Sequence, residues 1–142
     1  MGTSRTDFRG SILLARDWKV QVWLHLLVRE VDQLREQPEW LSEAREYWSE
    51  QATIAINGLI CPRLDYFLID EADVDLMRKL VQRVIGRLRE FGDIVPRDFL
   101  NDLCQLPAHS QFTNDIATEE FLAYGRALRK LLDGKMQSQE CA

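Results

Sequence analysis

The chain has 142 residues, of which 46% are hydrophobic and 29% charged, and its 18 basic and 23 acidic residues give a net charge of −5. This apolar content can offset the entropy of ordering the chain, which excludes an intrinsically disordered protein. The longest nearly apolar stretch, residues 20–28, is far shorter than the roughly 20 residues that span a bilayer. Residues 1–15 show no secretory signal, so we expect a cytoplasmic protein.

A long first helix is predicted for residues 11–36, with Ser11 as its N-cap. Residues 18–28 are apolar nearly all round, as in a central helix or in one that leaves an apolar surface for self-association. A strand is the competing interpretation, because Val20, Val22, Leu24 and Leu26 alternate, but the length of the helical pattern favours a helix. Residues 1–10 lack apolar periodicity and are expected to form a loose arm.

A second helix is predicted from Pro38, which suits a first helical turn, to Asn57 and Gly58, which favour a helix end. The next stretch, residues 58–69, is harder to assign. Pro62 makes the backbone before it extended, and residues 66–69 are too apolar to be left in water. We expect a buried connection with one helical turn, with a short strand as the alternative. The predicted inner face of the second helix consists of Trp40, Ala44, Tyr47, Trp48, Gln51 and Ala55.

A third helix is predicted from an N-cap at Asp70 to Phe91, with Asp73 completing a capping box and a continuous apolar stripe along one side. A short fourth helix starts near Pro96 within residues 93–104, and a loop follows at residues 106–110. The last helix begins between residues 114 and 118 and ends at Asp133, before a polar tail.

These elements together predict an all-α fold. We expect a single domain over residues 1–142, built as a bundle or an orthogonal array of four main helices plus one short helix. Residues 1–10 and 136–142 are expected to be loose tails.

The residue types that usually carry catalysis or bind metals are sparse. Three cysteines without a C-x-x-C spacing suit neither a disulfide framework nor a zinc site, and predict reduced thiols. His25 and His109 are the only histidines, and no nucleotide-binding or hydrolase motif is present. Helix capping explains the acids near Asp70 without a calcium ion. We therefore predict a non-enzymatic protein with no cofactor and no metal.

A basic stretch lies on the third helix, where residues 78–90 carry a local charge of +4. Such a face could follow a phosphate backbone, although no aromatic residue is interleaved with it for base stacking. The alternative is that these cations pair with the acids of the second helix or of residues 93–120. The basic face consists of Arg78, Lys79, Arg83, Arg87 and Arg89.

Two acidic stretches are more suggestive, because residues 30–50 and residues 93–120 each carry a local charge of −5. An acidic helical surface with aromatic residues can attract and hold a basic protein. The combination is similar in kind to bacterial immunity proteins and antitoxins, although no residue motif links the chain to them. The predicted partner-binding face consists of Glu39, Trp40, Glu43, Glu46 and Glu50.

The sequence thus predicts an inhibitor that occludes the active site of a basic protein partner, such as a toxin or an enzyme. One alternative is a helical adaptor or regulatory subunit of a complex, which would include homo-oligomers. The other is a small nucleic-acid binder that uses residues 78–89, and we rank it last because the rest of the chain is acidic.

Overall fold

The computed structural model describes residues 2–53 and 58–142. Of these residues, 58% are helical and 14% lie in the strands of two sheets, so the fold is alpha/beta and the predicted all-α bundle or array is wrong. The elements in chain order are β1 (Thr3–Phe8), β2 (Ser11–Arg16), α1 (Asp17–Asp32), α2 (Glu39–Thr53), α3 (Leu64–Phe67), α4 (Glu71–Arg89), β3 (Ile94–Val95), α5 (Arg97–Cys104), β4 (Ile116–Ala117), α6 (Thr118–Leu132) and β5 (Gln139–Cys141).

The chain starts with an antiparallel hairpin of β1 and β2 instead of the predicted loose arm. Arg9 and Gly10 connect the strands with φ values of 49° and 85°, the positive values that two-residue hairpin turns require. The inward positions of β1 are Ser4, Thr6 and Phe8, which are all buried. Because two of the three are polar, the alternation typical of a strand is hidden in the sequence. The first helix consequently begins at Asp17 and not at Ser11.

The predicted frayed tail also forms a strand. β5 pairs in parallel with β2, giving a three-stranded sheet in the order β1-β2-β5. The backbone N–H of Ala142 extends this pairing by donating to the carbonyl of Leu14 at 2.8 Å. A second, two-stranded sheet pairs β3 with β4 in antiparallel fashion, which places the start of α5 beside Asp115 and the start of α6 beside Asp93.

A buried polar network fixes the sheet to the helices. The carboxylate of Asp17, in the first turn of α1, accepts hydrogen bonds from Ser4 Oγ at 2.5 Å and from the backbone N–H of Gly58 at 3.1 Å. Ser4 Oγ in turn accepts the N–H of Ile60 at 3.0 Å. The negative charge lies at the positive end of the helix dipole. The network therefore fixes residues 58–60 beside β1 and the start of α1.

Helix α1 is central, as predicted, and packs against α2, α4, α5 and α6. Every residue from 20 to 24 is buried, and so are Leu26 and Leu27. Most of the apolar surface that suggested self-association is therefore covered by the rest of the chain, while Trp18 and Val28 are half-buried. No helix in residues 2–53 or 58–142 is both long and apolar enough to cross a lipid bilayer.

Helix α2 follows Pro38, whose carbonyl accepts the N–H groups of Leu41 and Ser42, so its predicted start is confirmed. Its predicted end at Asn57, and Ala55 on its inner face, lie outside the described residues. After it, α3 supplies the single helical turn expected within residues 58–69. Tyr66 and Ile69 are nevertheless 62% and 76% exposed, so the expectation that all of residues 66–69 are buried is wrong.

Helix α4 matches its prediction most closely. Asp70 is the N-cap, and its side chain and that of Asp73 form the reciprocal capping box. The predicted stripe is buried from Val74 to Leu88, while the helix ends at Arg89, two residues before the predicted end. The short helix α5 after Pro96 and the final helix α6 also occur where the sequence predicts them.

Two glycines in helices provide a matched test of packing. A Cβ on Gly125 would lie 2.7 Å from Cζ2 of Trp23, whose indole N–H is fixed by a 3.0 Å hydrogen bond to the carbonyl of Phe121. Gly86, on the exposed side of α4, has no neighbour within 4 Å.

We expect Gly125→Ala to lower the free energy of unfolding by about 1–3 kcal/mol, because the added methyl group overpacks a fully buried tryptophan. Gly86→Ala should raise it by about 0.5–1 kcal/mol, because alanine favours the helix. Urea denaturation measures both changes. Equal effects of the two substitutions would contradict the packing described around Trp23.

Candidate partner-binding surface

Helix α2 carries four glutamates on one outward strip. Glu39, Glu43, Glu46 and Glu50 recur at spacings of three and four residues, which places them on one face of a helix, and all four are exposed. We call these four residues the acidic ridge. The structure thus brings together the acids of the predicted partner-binding face.

The acidic ridge is poorly neutralised. Arg45 is the only basic residue of α2, and its guanidinium binds both carboxylate oxygens of Asp32, at 2.9 and 3.1 Å. It also reaches Glu46 at 3.0 Å. The other three glutamates have no ion pair among the described residues, so the ridge keeps a surplus of negative charge toward solvent.

Trp40, the aromatic member of the predicted face, lies only partly at the surface. Its side chain is half-buried and packs against the hydrophobic core. Its indole nitrogen is buried and has no hydrogen-bond partner among the described residues. Trp40 therefore offers a contact edge at most.

A second group beside the ridge was missed by the sequence analysis. The guanidinium of Arg63 lies over the rings of Tyr47 and Tyr66, at 5.1 and 5.3 Å from their centroids. Burial raises the pKa of Tyr47, and the charge of Arg63 acts in the opposite direction. We call these three residues the tyrosine–arginine cluster. Tyr47 lies four residues after Glu43 and three before Glu50, so the cluster adjoins the acidic ridge.

Glu30 does not contribute to the acidic surface, although the sequence analysis counted it there. Its side chain is only 5% exposed, and Oε1 accepts a hydrogen bond from Nε of Arg87 at 3.2 Å. This pair closes one wall of a cavity of about 450 Å³ between α1 and α4, which Phe91 and Phe99 also line.

The predicted basic face of α4 is divided in two by the structure. Arg78 binds the carboxylates of Asp75 and Asp133, and Arg87 binds Glu30. These cations therefore pair with α1, with α4 itself and with the residue after α6, and the expected pairing with α2 or residues 93–120 is wrong. The remaining cations are exposed and have no ion pair among the described residues: Lys79, Arg83 and Arg89.

A cavity of about 630 Å³ lies between the start of α1 and the loop that precedes β4. Trp18 and Phe112 line it, with the side chains of Asp17 and Gln21. The Asp17 carboxylate is already held by Ser4 and Gly58, and the amide group of Gln21 donates to the carbonyl of Ala52 at 2.6 Å. These two polar side chains are thus engaged within the fold.

A catalytic pair in which His109 activates the Cys104 thiol as a nucleophile is not favoured. Burial raises the pKa of the Cys104 thiol to about 12, so the thiol stays protonated at neutral pH. His109 lies exposed in the 3-10 turn at Ala108–Ser110. Burial lowers the pKa of the other histidine, His25, at the interface of α1 and α2. All three cysteines are free.

No protein-family model, curated protein or solved structure matches this chain. Its function must be inferred from its own surfaces, of which the acidic ridge and the tyrosine–arginine cluster together are the most distinctive.

The Glu30–Arg87 pair predicts different effects for two arginines one turn apart on α4. Arg87→Met leaves a buried carboxylate without its hydrogen-bond donor, so we expect a loss of about 1–3 kcal/mol in the free energy of unfolding. Arg83→Met removes an exposed cation and should change it by less than about 0.5 kcal/mol. If urea denaturation gave the same loss of unfolding free energy for both variants, the buried carboxylate of Glu30 would not depend on the hydrogen bond from Arg87.

The different exposures of the three cysteines predict the order in which their thiols are alkylated. With iodoacetamide at pH 8, the exposed Cys141 should react first, the half-buried Cys61 more slowly and the buried Cys104 not at all in the folded protein. Mass spectrometry of the peptides measures the modification, and guanidinium chloride should make all three react. Modification of native Cys104 as fast as Cys141 would contradict its burial.

Proposed function

We propose that this protein is a non-enzymatic inhibitor of the immunity or antitoxin kind, which binds a basic partner protein through the acidic ridge of α2. The observation that carries this proposal is the row of four exposed carboxylates along one helical face, of which only Glu46 has an ion pair among the described residues. A partner that acts on nucleic acid presents a basic cleft, and a rigid row of acids can occupy such a cleft in place of phosphates.

Rigidity matters because ordering side chains and loops at an interface costs free energy. Helix α2 is fixed on its inner side by Leu41, Ala44 and Trp48, which are fully buried. The indole N–H of Trp48 also donates to the carbonyl of Pro62 at 2.8 Å. The ridge is therefore presented by a helix that is already held in place.

The two other functions have less support. The adaptor or regulatory subunit was suggested by apolar surface on α1, and most of that surface is buried. The nucleic-acid binder loses Arg78 and Arg87 to ion pairs with acidic residues of the chain, which leaves three cations of α4 without an ion pair among the described residues.

Charge reversal tests the proposal. The double variant Glu43→Lys/Glu46→Lys should lose the basic protein that immobilised wild-type protein retains from a lysate of its own organism at low salt. With the purified partner, association should slow by about tenfold or more and depend less on salt, since steering by charge acts on the association rate. The melting temperature should change little, because both residues are exposed.

The matched control is Asp93→Lys/Asp102→Lys, which changes the net charge equally on the other predicted acidic stretch. Both aspartates are exposed. The control should retain the partner as the wild type does. Equal loss in both variants would show that only net charge matters, and full retention by the ridge variant would refute the proposed interface. An eluate of RNA without a stoichiometric basic protein would favour the exposed cations of α4.

A further inference from the structure

The connection between α2 and α4 exposes apolar side chains that a folded chain usually covers. Tyr66 and Ile69 are 62% and 76% exposed, although they flank Phe67 and Leu68, which are buried. They are only three residues apart and therefore within about 10 Å of each other along the chain. A local concentration of exposed apolar area of this kind marks an interaction site more often than an isolated residue does.

The exposed residues of this connection are held in place by the buried residues beneath them, on the core side. Phe67 packs edge-on against Tyr66 at 5.0 Å between ring centroids, and Tyr47 lies 6.0 Å from Phe67. The carbonyl of Arg63 accepts the N–H groups of Tyr66 and Phe67 at 3.1 and 3.2 Å, which fixes the turn of α3. Since little conformational entropy remains to be lost, the cluster is preorganised for contact.

Arg63 itself has an unusual backbone conformation. Its φ of 54° lies in the left-handed region, which costs free energy for any residue except glycine. A glycine would relieve this strain but would remove the guanidinium that lies over the two tyrosine rings.

The hydrogen-bonding groups of Arg63 are also available. Its Cζ atom lies close to both rings, and its side chain makes no hydrogen bond within the described part of the chain. Its N–H donors can therefore bind a planar acceptor, such as a carboxylate or a backbone carbonyl. Tyrosine and arginine are the residue types in which the binding energy of protein interfaces concentrates.

We propose that the tyrosine–arginine cluster, together with Ile69, is the anchor of the interface whose acidic ridge attracts the partner. This inference rests on the proposed function and specifies which part of the partner occupies the surface. The occupant is a segment of a basic protein with Lys or Arg residues opposite the ridge. Beside them it has an apolar side chain against Tyr66 and a carbonyl or carboxylate on Arg63. The ridge sets the rate of encounter, and the anchor sets the lifetime of the complex.

A random dodecapeptide library displayed on phage is the probe, selected at low salt against the wild-type protein. We expect the selected pool to be rich in Lys and Arg together with apolar residues. Tyr66→Ala should weaken binding of this pool at least about tenfold, through faster dissociation and with the same salt dependence. Arg63→Lys keeps the charge but not the planar donors, and should weaken binding in the same way.

The matched control is Ile94→Ala, which removes an exposed apolar side chain far from α2 in the chain and should bind the pool as the wild type does. Circular dichroism checks that each variant is folded. If Tyr66→Ala and Arg63→Lys bind normally while Glu43→Lys/Glu46→Lys does not, the anchor is refuted and the acidic interface stands. If all variants bind equally, or no pool emerges, both the anchor and the acidic interface are refuted.

Discussion

The carboxylate of Asp17 is the contact on which the remaining structure depends. It receives the hydroxyl of Ser4 from the first strand and the N–H of Gly58 from the chain that follows α2, while Ser4 also receives the N–H of Ile60. Sheet, central helix and connection thus meet at one half-buried carboxylate, which accepts hydrogen bonds at both oxygens. The position of residues 58–60 determines where the chain enters α3, and hence where the tyrosine–arginine cluster faces solvent.

The sequence predicts elements well where local chemistry decides them. Helix α4 has a capping box at its start and an unbroken apolar stripe, so its position needs no information from distant residues. The strands are different, because Ser4 and Thr6 occupy inward positions and are satisfied by Asp17 and by the hydroxyl of Tyr124, more than one hundred residues away in the second case. A prediction from hydrophobic periodicity treats polar residues of this kind as outward-facing, and the sheet was therefore not predicted.

The two parts of the candidate surface differ in the same respect, because the sequence predicts one of them and not the other. The acidic ridge follows from helical spacing alone, and its exposure could be predicted from α2. The cluster beside it requires Arg63 in a left-handed conformation and a single turn of helix, which bring together residues 47, 63 and 66. Glu30 was misassigned for a related reason, since its partner Arg87 lies 57 residues away and only the packing of α1 on α4 reveals the pair.

The parallel pairing of β5 with β2 has a consequence for the newly made chain. Residues 12–14 are synthesised more than one hundred residues before their neighbours at 139–141. Until then, one edge of β2 has unpaired N–H and carbonyl groups, and an open strand edge of this kind can pair with another chain. The three-stranded sheet therefore cannot be completed before residues 139–141 have been made, and until then β2 has only β1 as a neighbour.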